Sequence, residues 1–538
     1  MGIAGTLKNF LSGERVDAHS TPPNFLEIRS SKTFIIFTIA VAVFTDIFLY
    51  GIIVPVIPFA LSNRAGVAED SVQKWVSVLL AVYGGALLVG SPIAGFLADR
   101  SASRRLPLLV GLLALGGATV MLCVARVVWL IILGRILQGA AAAIVWVVGI
   151  ALLVDTVGEE RIGETLGWVS SAMGIGFFLA PLLGGIVYEK AGYYSVYYMA
   201  FALIAVDIVL RLALIEKKIA VQWVVETPTP LSGSGTADLT DEEKQQGSEA
   251  NVVTEPQPTA NRHSLNNDPS SGNASSHGTK FKWPPVITLL ASRRLLTALW
   301  GCVVQGSLMT AFDSVLPLFV ERVFGWNSVG AGLIFLALTI PSFISPAIGY
   351  LSDSYGPRWL AFSGFIFAIP FWILLRLVTH NTLGQKVLFS ALLLFIGVGL
   401  ALVLPPLMAE ITYVVEAKER EQPGRFGATG AYAQAYGLFI AAFAAGTLIG
   451  PVWAGYVEDS AGWGTMTWSL ALFSLVGAVP CVIWTGGYIG DRNAKNAEER
   501  AAGVQALGER DEEMVVGSES PREDSEILHS VQSVQKEG

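Results

Sequence analysis

Gly95-Phe96-Leu97-Ala98-Asp99-Arg100, followed by Arg104 and Arg105, returns in the second half of the chain as Gly349-Tyr350-Leu351-Ser352-Asp353, followed by Gly356 and Arg358. Glycine, leucine and aspartate recur in register, and each stretch closes an apolar run. A glycine there lets two helices approach closely, and the acid is placed to meet a helix N-terminus or a loop arginine and so latch one face of the molecule. A second repeat runs Gly167, Gly176, Ala180-Pro181, Gly184-Gly185 and then, at the same offsets, Gly437, Gly446, Gly450-Pro451, Gly455. Glycines along one helical face permit tight packing, and the proline bends the helix where one bundle can rock against another. Two such repeats predict a chain built of two related halves.

The composition says which solvent those halves occupy. With 53% hydrophobic and only 14% charged residues, and a mean hydropathy of +0.56, most of the chain belongs in lipid. Twelve apolar runs are long enough to cross a bilayer, at about 34–61, 75–98, 106–125, 127–154, 163–187, 195–215, 296–320, 328–352, 360–379, 386–411, 430–457 and 465–487. The expected fold is an all-α membrane protein of two six-helix bundles, at 34–215 and 296–487. An even span count puts both termini on one side. Lys8, Arg15, Arg29 and Lys32, the 2–3 turn with Arg100, Arg104 and Arg105, and Lys217, Lys218, Arg293, Arg294, Lys418, Arg420 and Arg425 make that side the cytoplasm. No cleavable leader is visible in segment 1–33, so the first span is expected to act as its own signal.

Between the bundles, segment 216–295 is rich in Ser, Thr, Gly, Pro, Asn and Gln around 219–283 and is expected to be disordered, as is the acidic tail, 488–538, with Asp511, Glu512, Glu513, Glu523 and Asp524. The sequon at Asn273 would lie on the cytoplasmic side, out of reach of lumenal glycosylation. Cys123, Cys302 and Cys481 fall in three separate apolar runs and are expected to be free. The net charge of −8 resides largely in the loop and tail and implies no nucleic-acid partner.

These motifs carry a resemblance. Gly95 to Arg105 resembles the loop signature of the major facilitator superfamily, Arg135-Ile136-Leu137-Gln138-Gly139 its fourth-helix arginine motif, and Gly167 to Gly185 the motif associated with antiporters. In the first span, Asp46-x4-Gly51-x3-Pro55-x2-Pro58 is similar to the vesicular amine transporter branch of the drug:proton antiporters. Phe312-Asp313-Ser314-Val315-Leu316-Pro317 is similar to that branch's acid-containing segment, with Asp where Glu is usual. Ala102 and Ala180 replace glycines of the family pattern, and Ala401 stands where the amine transporters carry an acid, which weighs against an amine substrate. The resemblance implies a monomeric, proton-coupled antiporter of the fungal multidrug or metabolite exporter type, working by alternating access. It implies a small amphipathic molecule, protons and the lipid bilayer as partners, no cofactor, and the plasma membrane as the site of action. The alternatives are a vesicular or vacuolar amine or amino-acid antiporter, a uniporter, and a non-transporting receptor or scaffold. An enzyme is not expected: the sequence offers no metal cluster, nucleotide loop or nucleophile–base arrangement.

An ionisable group inside a span is costly, so its presence points to function. Asp46 falls near the bilayer middle, about 18 Å along its helix. A desolvated carboxylate there is able to exchange a proton or pair with a cation. Asp313 takes the comparable place in the second half, and Arg135, with Gln138, is the expected counter-ion for one of the two acids. Asp207 and Arg211, four residues apart, are expected to neutralise each other, and Asp155 and Glu410 to belong to the charge latch. No histidine among His19, His263, His277, His380 and His529 lies deep in a span, so proton coupling would run on carboxylates. Tyr50, Trp146, Phe312 and Tyr436 are expected to line a cavity and stack on a flat or cationic ligand.

Overall fold

A computed structural model describes residues 23–224 and 285–487, apart from 54–55, 102, 159–160, 327 and 427–429. Lipid offers the backbone no hydrogen-bond partners, so apolar runs of this length satisfy their own N–H and C=O groups as helices. Among the described residues, twelve helices are long and apolar enough to span a membrane: α1 (Lys32–Ile53), α2 (Glu69–Asp99), α3 (Arg105–Val124), α4 (Val128–Val157), α5 (Ile162–Ala191), α6 (Tyr193–Ala213), α7 (Arg293–Phe324), α8 (Ser328–Thr339 continued through Ser345–Tyr355), α9 (Pro357–Leu374), α10 (Leu383–Glu421), α11 (Tyr432–Ala461) and α12 (Trp463–Trp484). No strand occurs among the described residues.

Several boundaries differ from the sequence expectation. The first span ends at Ile53, and a separate short helix, Ile57–Asn63, follows with a proline in its first turn. α8 is interrupted by a 3₁₀ turn, Ile340–Ile344, where Pro341 and then Pro346 prevent a continuous ladder. α10 continues past its apolar stretch to Glu421, where side-chain pairs one turn apart, Lys418–Glu421 at 3.0 Å and Arg420–Glu416 at 3.4 Å, support the polar extension. The central segment is helical over Lys217–Val224 and Pro285–Leu290, so residues 219–224, expected to be disordered, are helical. Residues 225–284, with Asn273, and the tail acids lie outside the described residues.

The halves meet along two matching lines, α2 against α11 and α5 against α8. Within each half the glycine-rich helix lies on the first: α5 on α1, and α11 on α7. Cys123, Cys302 and Cys481 are buried and free, as expected. The ends of α2, α8 and α10 and the starts of α5, α7 and α11 share one face, called the terminal face below because α1 begins and α12 ends there.

Candidate functional site

At the terminal face the repeated aspartates bind across the boundary between halves. Asp99, at the end of α2, accepts from the backbone N–H groups of Ala433 (3.1 Å) and Gln434 (3.0 Å), and from the Gln434 side chain at 3.1 Å. Asp353, near the end of α8, accepts from the N–H groups of Gly163 (2.8 Å) and Glu164 (3.0 Å), and from the Tyr413 hydroxyl at 2.7 Å. Each carboxylate thus sits on the first turn of the other half's glycine-rich helix, where free N–H groups and the helix dipole favour an anion. The close approach is built in. A Cβ on Gly349 would collide with the Gly163 carbonyl, one on Gly95 would lie 2.5 Å from the Ala433 carbonyl oxygen, and Gly167 and Gly437 press on Ser345 and Ser91 in the same way.

The arginines divide the work unequally. Arg104 bridges Asp99 (3.3 Å) and Asp155 (3.1 Å), binding the latch to the end of α4. Arg358 does not repeat this: it donates to the carbonyls of Thr485 (2.6 Å) and Gly487 at the end of α12, as Arg105 does to Arg211 and Leu212 at the end of α6. In place of an arginine bridge, Glu410 on α10 holds Arg294 at 2.8 Å and caps Gly486. Arg100 lies exposed over the Phe96 ring, 3.9 Å from its centroid.

Deeper in the helices lie further charges. Asp46 is 1% exposed; the Trp146 indole donates to its Oδ2 at 2.8 Å, the Tyr83 hydroxyl lies beside it, and the Asp207 and Arg211 charges are within electrostatic reach. Tyr83 packs at a 36° tilt against Tyr50, 4.7 Å between centroids, and the Arg135 guanidinium lies 5.7 Å from the Tyr50 ring centroid. Arg135 is fully buried and donates one bond, to Gln138 Oε1 at 2.9 Å. It forms no ion pair with Asp46, Asp313 or any other acid among the described residues, contrary to the expected counter-ion role. Asp207 and Arg211 do pair, at 2.7 and 2.9 Å, fully buried, with Arg211 also held by the Leu108 carbonyl. Asp313 is more than a third exposed although it lies inside a spanning helix, and its charge acts on Tyr50 of the opposite half. It therefore faces the space between the bundles.

Two of the four expected cavity aromatics are elsewhere. Phe312 is fully buried and stacks on Trp372 at 4.7 Å; neighbours on a helix point about 100° apart, so when Asp313 faces the central space Phe312 turns into its own bundle. Tyr436 is likewise buried, bonded to Thr412 (2.8 Å) and the Met408 carbonyl (3.0 Å). Trp146 is a hydrogen-bond donor to Asp46 rather than an open wall, and Tyr50 alone of the four is only half-buried. Among the repeated glycines, Gly176 and Gly184 fit against α1, and Gly446 and Gly450 against α7, whereas Gly455 makes only an ordinary contact with Ser314 and Gly185 meets open space. Pro181 and Pro451 lie inside their helices beside these contacts. Sequence reading missed the donors Gly163, Glu164, Ala433 and Gln434. The repeat itself carries them, since they stand four and three residues before Gly167 and Gly437. Tyr83 and Tyr413 have no such signal.

Two bundles of spanning helices, clasped at one face and holding unpaired charges between them, are the build of a membrane transporter. The chain belongs to the Major Facilitator Superfamily, whose model matches residues 39–432. It is 36% identical over 449 residues to the MFS-type transporter C18.02 of Schizosaccharomyces pombe, covering 83% of this chain and 94% of that one. It is 25% identical over 354 residues to the class B tetracycline resistance protein of Escherichia coli, covering 65% and 74%. In fold it resembles the crystal structure of the human organic anion transporter MFSD10, with a TM-score of 0.59 at 14% identity, covering 84% of this chain and 99% of the other.

Proposed function

We propose that the protein is a proton-coupled antiporter that exports a small amphipathic compound by alternating access, with both termini in the cytoplasm and the plasma membrane as its site. The observation that carries this reading is the pair of intramembrane carboxylates: Asp46, buried on neutral donors, and Asp313, open to the space between the bundles, neither ion-paired among the described residues. A carboxylate without a fixed counter-ion is free to hold a proton in one state and release it in another. In the structure the terminal face is clasped, which on the proposed topology is the cytoplasm-closed state. Reopening that face means releasing Asp99 from α11 and Asp353 from α5, and the proton cycle at Asp46 and Asp313 supplies the bias. Likeness to a tetracycline resistance protein supports an exported xenobiotic or metabolite as cargo.

Flux in proteoliposomes under an imposed pH gradient tests the reading, with wild type beside Asp46→Asn and Asp313→Asn and a panel of lipophilic cations and neutral and acidic aromatics. Gradient-driven accumulation that either substitution removes supports antiport. Equal transport without a gradient, with both variants normal, means a uniporter.

A further inference from the structure

The N-terminal half contains two fully buried arginines within its helices, and they differ in one respect. Arg211 uses its side chain on Asp207 and the Leu108 carbonyl. Arg135 leaves Nε and Nη2 without an acceptor, and the amide nitrogen of the adjoining Gln138 is also without one. Its electrostatic neighbours are the rings of Tyr50, Tyr83 and Tyr197, not a carboxylate. Buried charged donors left unmet are costly, so a state of the protein that repays them with an acceptor is favoured. The half-buried Tyr50 ring neighbours both Arg135 and Asp313, so a group reaching the guanidinium from the space that Asp313 faces has to displace that ring.

We infer that the donor cluster of Arg135 and Gln138 beneath Tyr50 is a subsite for a carboxylate or equally anionic acceptor group on the transported molecule. This rests on the transport reading above and narrows its cargo to amphipathic acids or zwitterions. The guanidinium fork suits a planar carboxylate in two-point contact, with Gln138 supplying a further donor. A lipophilic cation finds no partner at this subsite.

The test is binding to the purified full-length protein in detergent, measured by isothermal titration with three probes of one shape: 2-naphthoate, 2-naphthamide and 2-naphthylmethylammonium. Because no gradient is involved, the result is independent of whether transport is proton-driven, which the liposome flux reads separately. The expected result is naphthoate binding at least about tenfold tighter than the amide, the size of one charge-assisted hydrogen bond, with the ammonium weakest. Arg135→Lys should reduce the naphthoate preference, and Tyr50→Ala, which uncovers the subsite, should keep it. Absence of naphthoate binding, or amide or ammonium binding as tight, overturns the inference. So does an unchanged preference in Arg135→Lys. Should that variant fail to fold, the order of the three probes on wild type decides.

Discussion

Asp99 and Gln434 belong to opposite halves of the protein, yet Asp99 accepts both the backbone and the side-chain N–H of Gln434, at 3.0 and 3.1 Å. Asp353 repeats the backbone part of this arrangement on Gly163 and Glu164. Two carboxylates, each on a helix start of the other half, make the closed terminal face a paired electrostatic clasp.

Replacing the charge but keeping the shape should therefore loosen it. Asp99→Asn is expected to cost roughly 1–2 kcal/mol of clasp, raising the open population about five- to thirtyfold. Ser170, buried between α5 and Met408 of the opposite half, reports this as Ser170→Cys in a cysteine-free background. Maleimide labelling should quicken in Asp99→Asn; an unchanged rate removes the clasp role.

Steric fit at the same face makes a sharper contrast. Gly349→Ala drives a methyl into the Gly163 carbonyl, whereas Gly185→Ala meets open space. The first should destabilise the closed state by about 1–3 kcal/mol and impair transport, and the second should leave both unchanged. Equal behaviour of the two variants would show that helix spacing there is not limiting.

Trp146 holds Asp46 through a single indole N–H. Trp146→Phe preserves the apolar volume and leaves the carboxylate short of a donor, a loss of about 1–3 kcal/mol. The expected outcome is a lower Tm together with weaker gradient-driven flux, and Asp46→Asn in the same background should add little because the two act as one unit. Additive losses would place Trp146 outside the Asp46 unit.

Arg100 closes the first motif and Arg358 follows the second, and they hold different things. Arg358→Ala removes the donor from the end carbonyls of α12 and should lower Tm, while Arg100→Ala forfeits only an exposed stack on Phe96, at about 0.5–1 kcal/mol. A larger Tm loss for Arg100→Ala than for Arg358→Ala would reverse this assignment.

The span count, the doubled motifs and the acids inside apolar runs were legible because each is a local or periodic property: apolar length sets a span, and glycine and aspartate at fixed offsets mark a repeat. Extending the repeat by four residues would also have revealed the helix starts that receive Asp99 and Asp353. Nothing in the sequence signalled that Arg358 would hold backbone rather than an acid, because its acceptors in three dimensions are carbonyls at the end of α12, far away in sequence.

By itself, then, the sequence determined that this chain lives in lipid as two related sets of helices with carboxylates at membrane depth, since hydropathy and repeat register need no knowledge of neighbours. Only the tertiary structure decided which of those groups meet. Adjacent positions on a helix face different surroundings, so Asp313 looks into the central space while Phe312 packs away from it. Whether a buried arginine finds its acid, as Arg211 does and Arg135 does not, depends on how the helices are brought together.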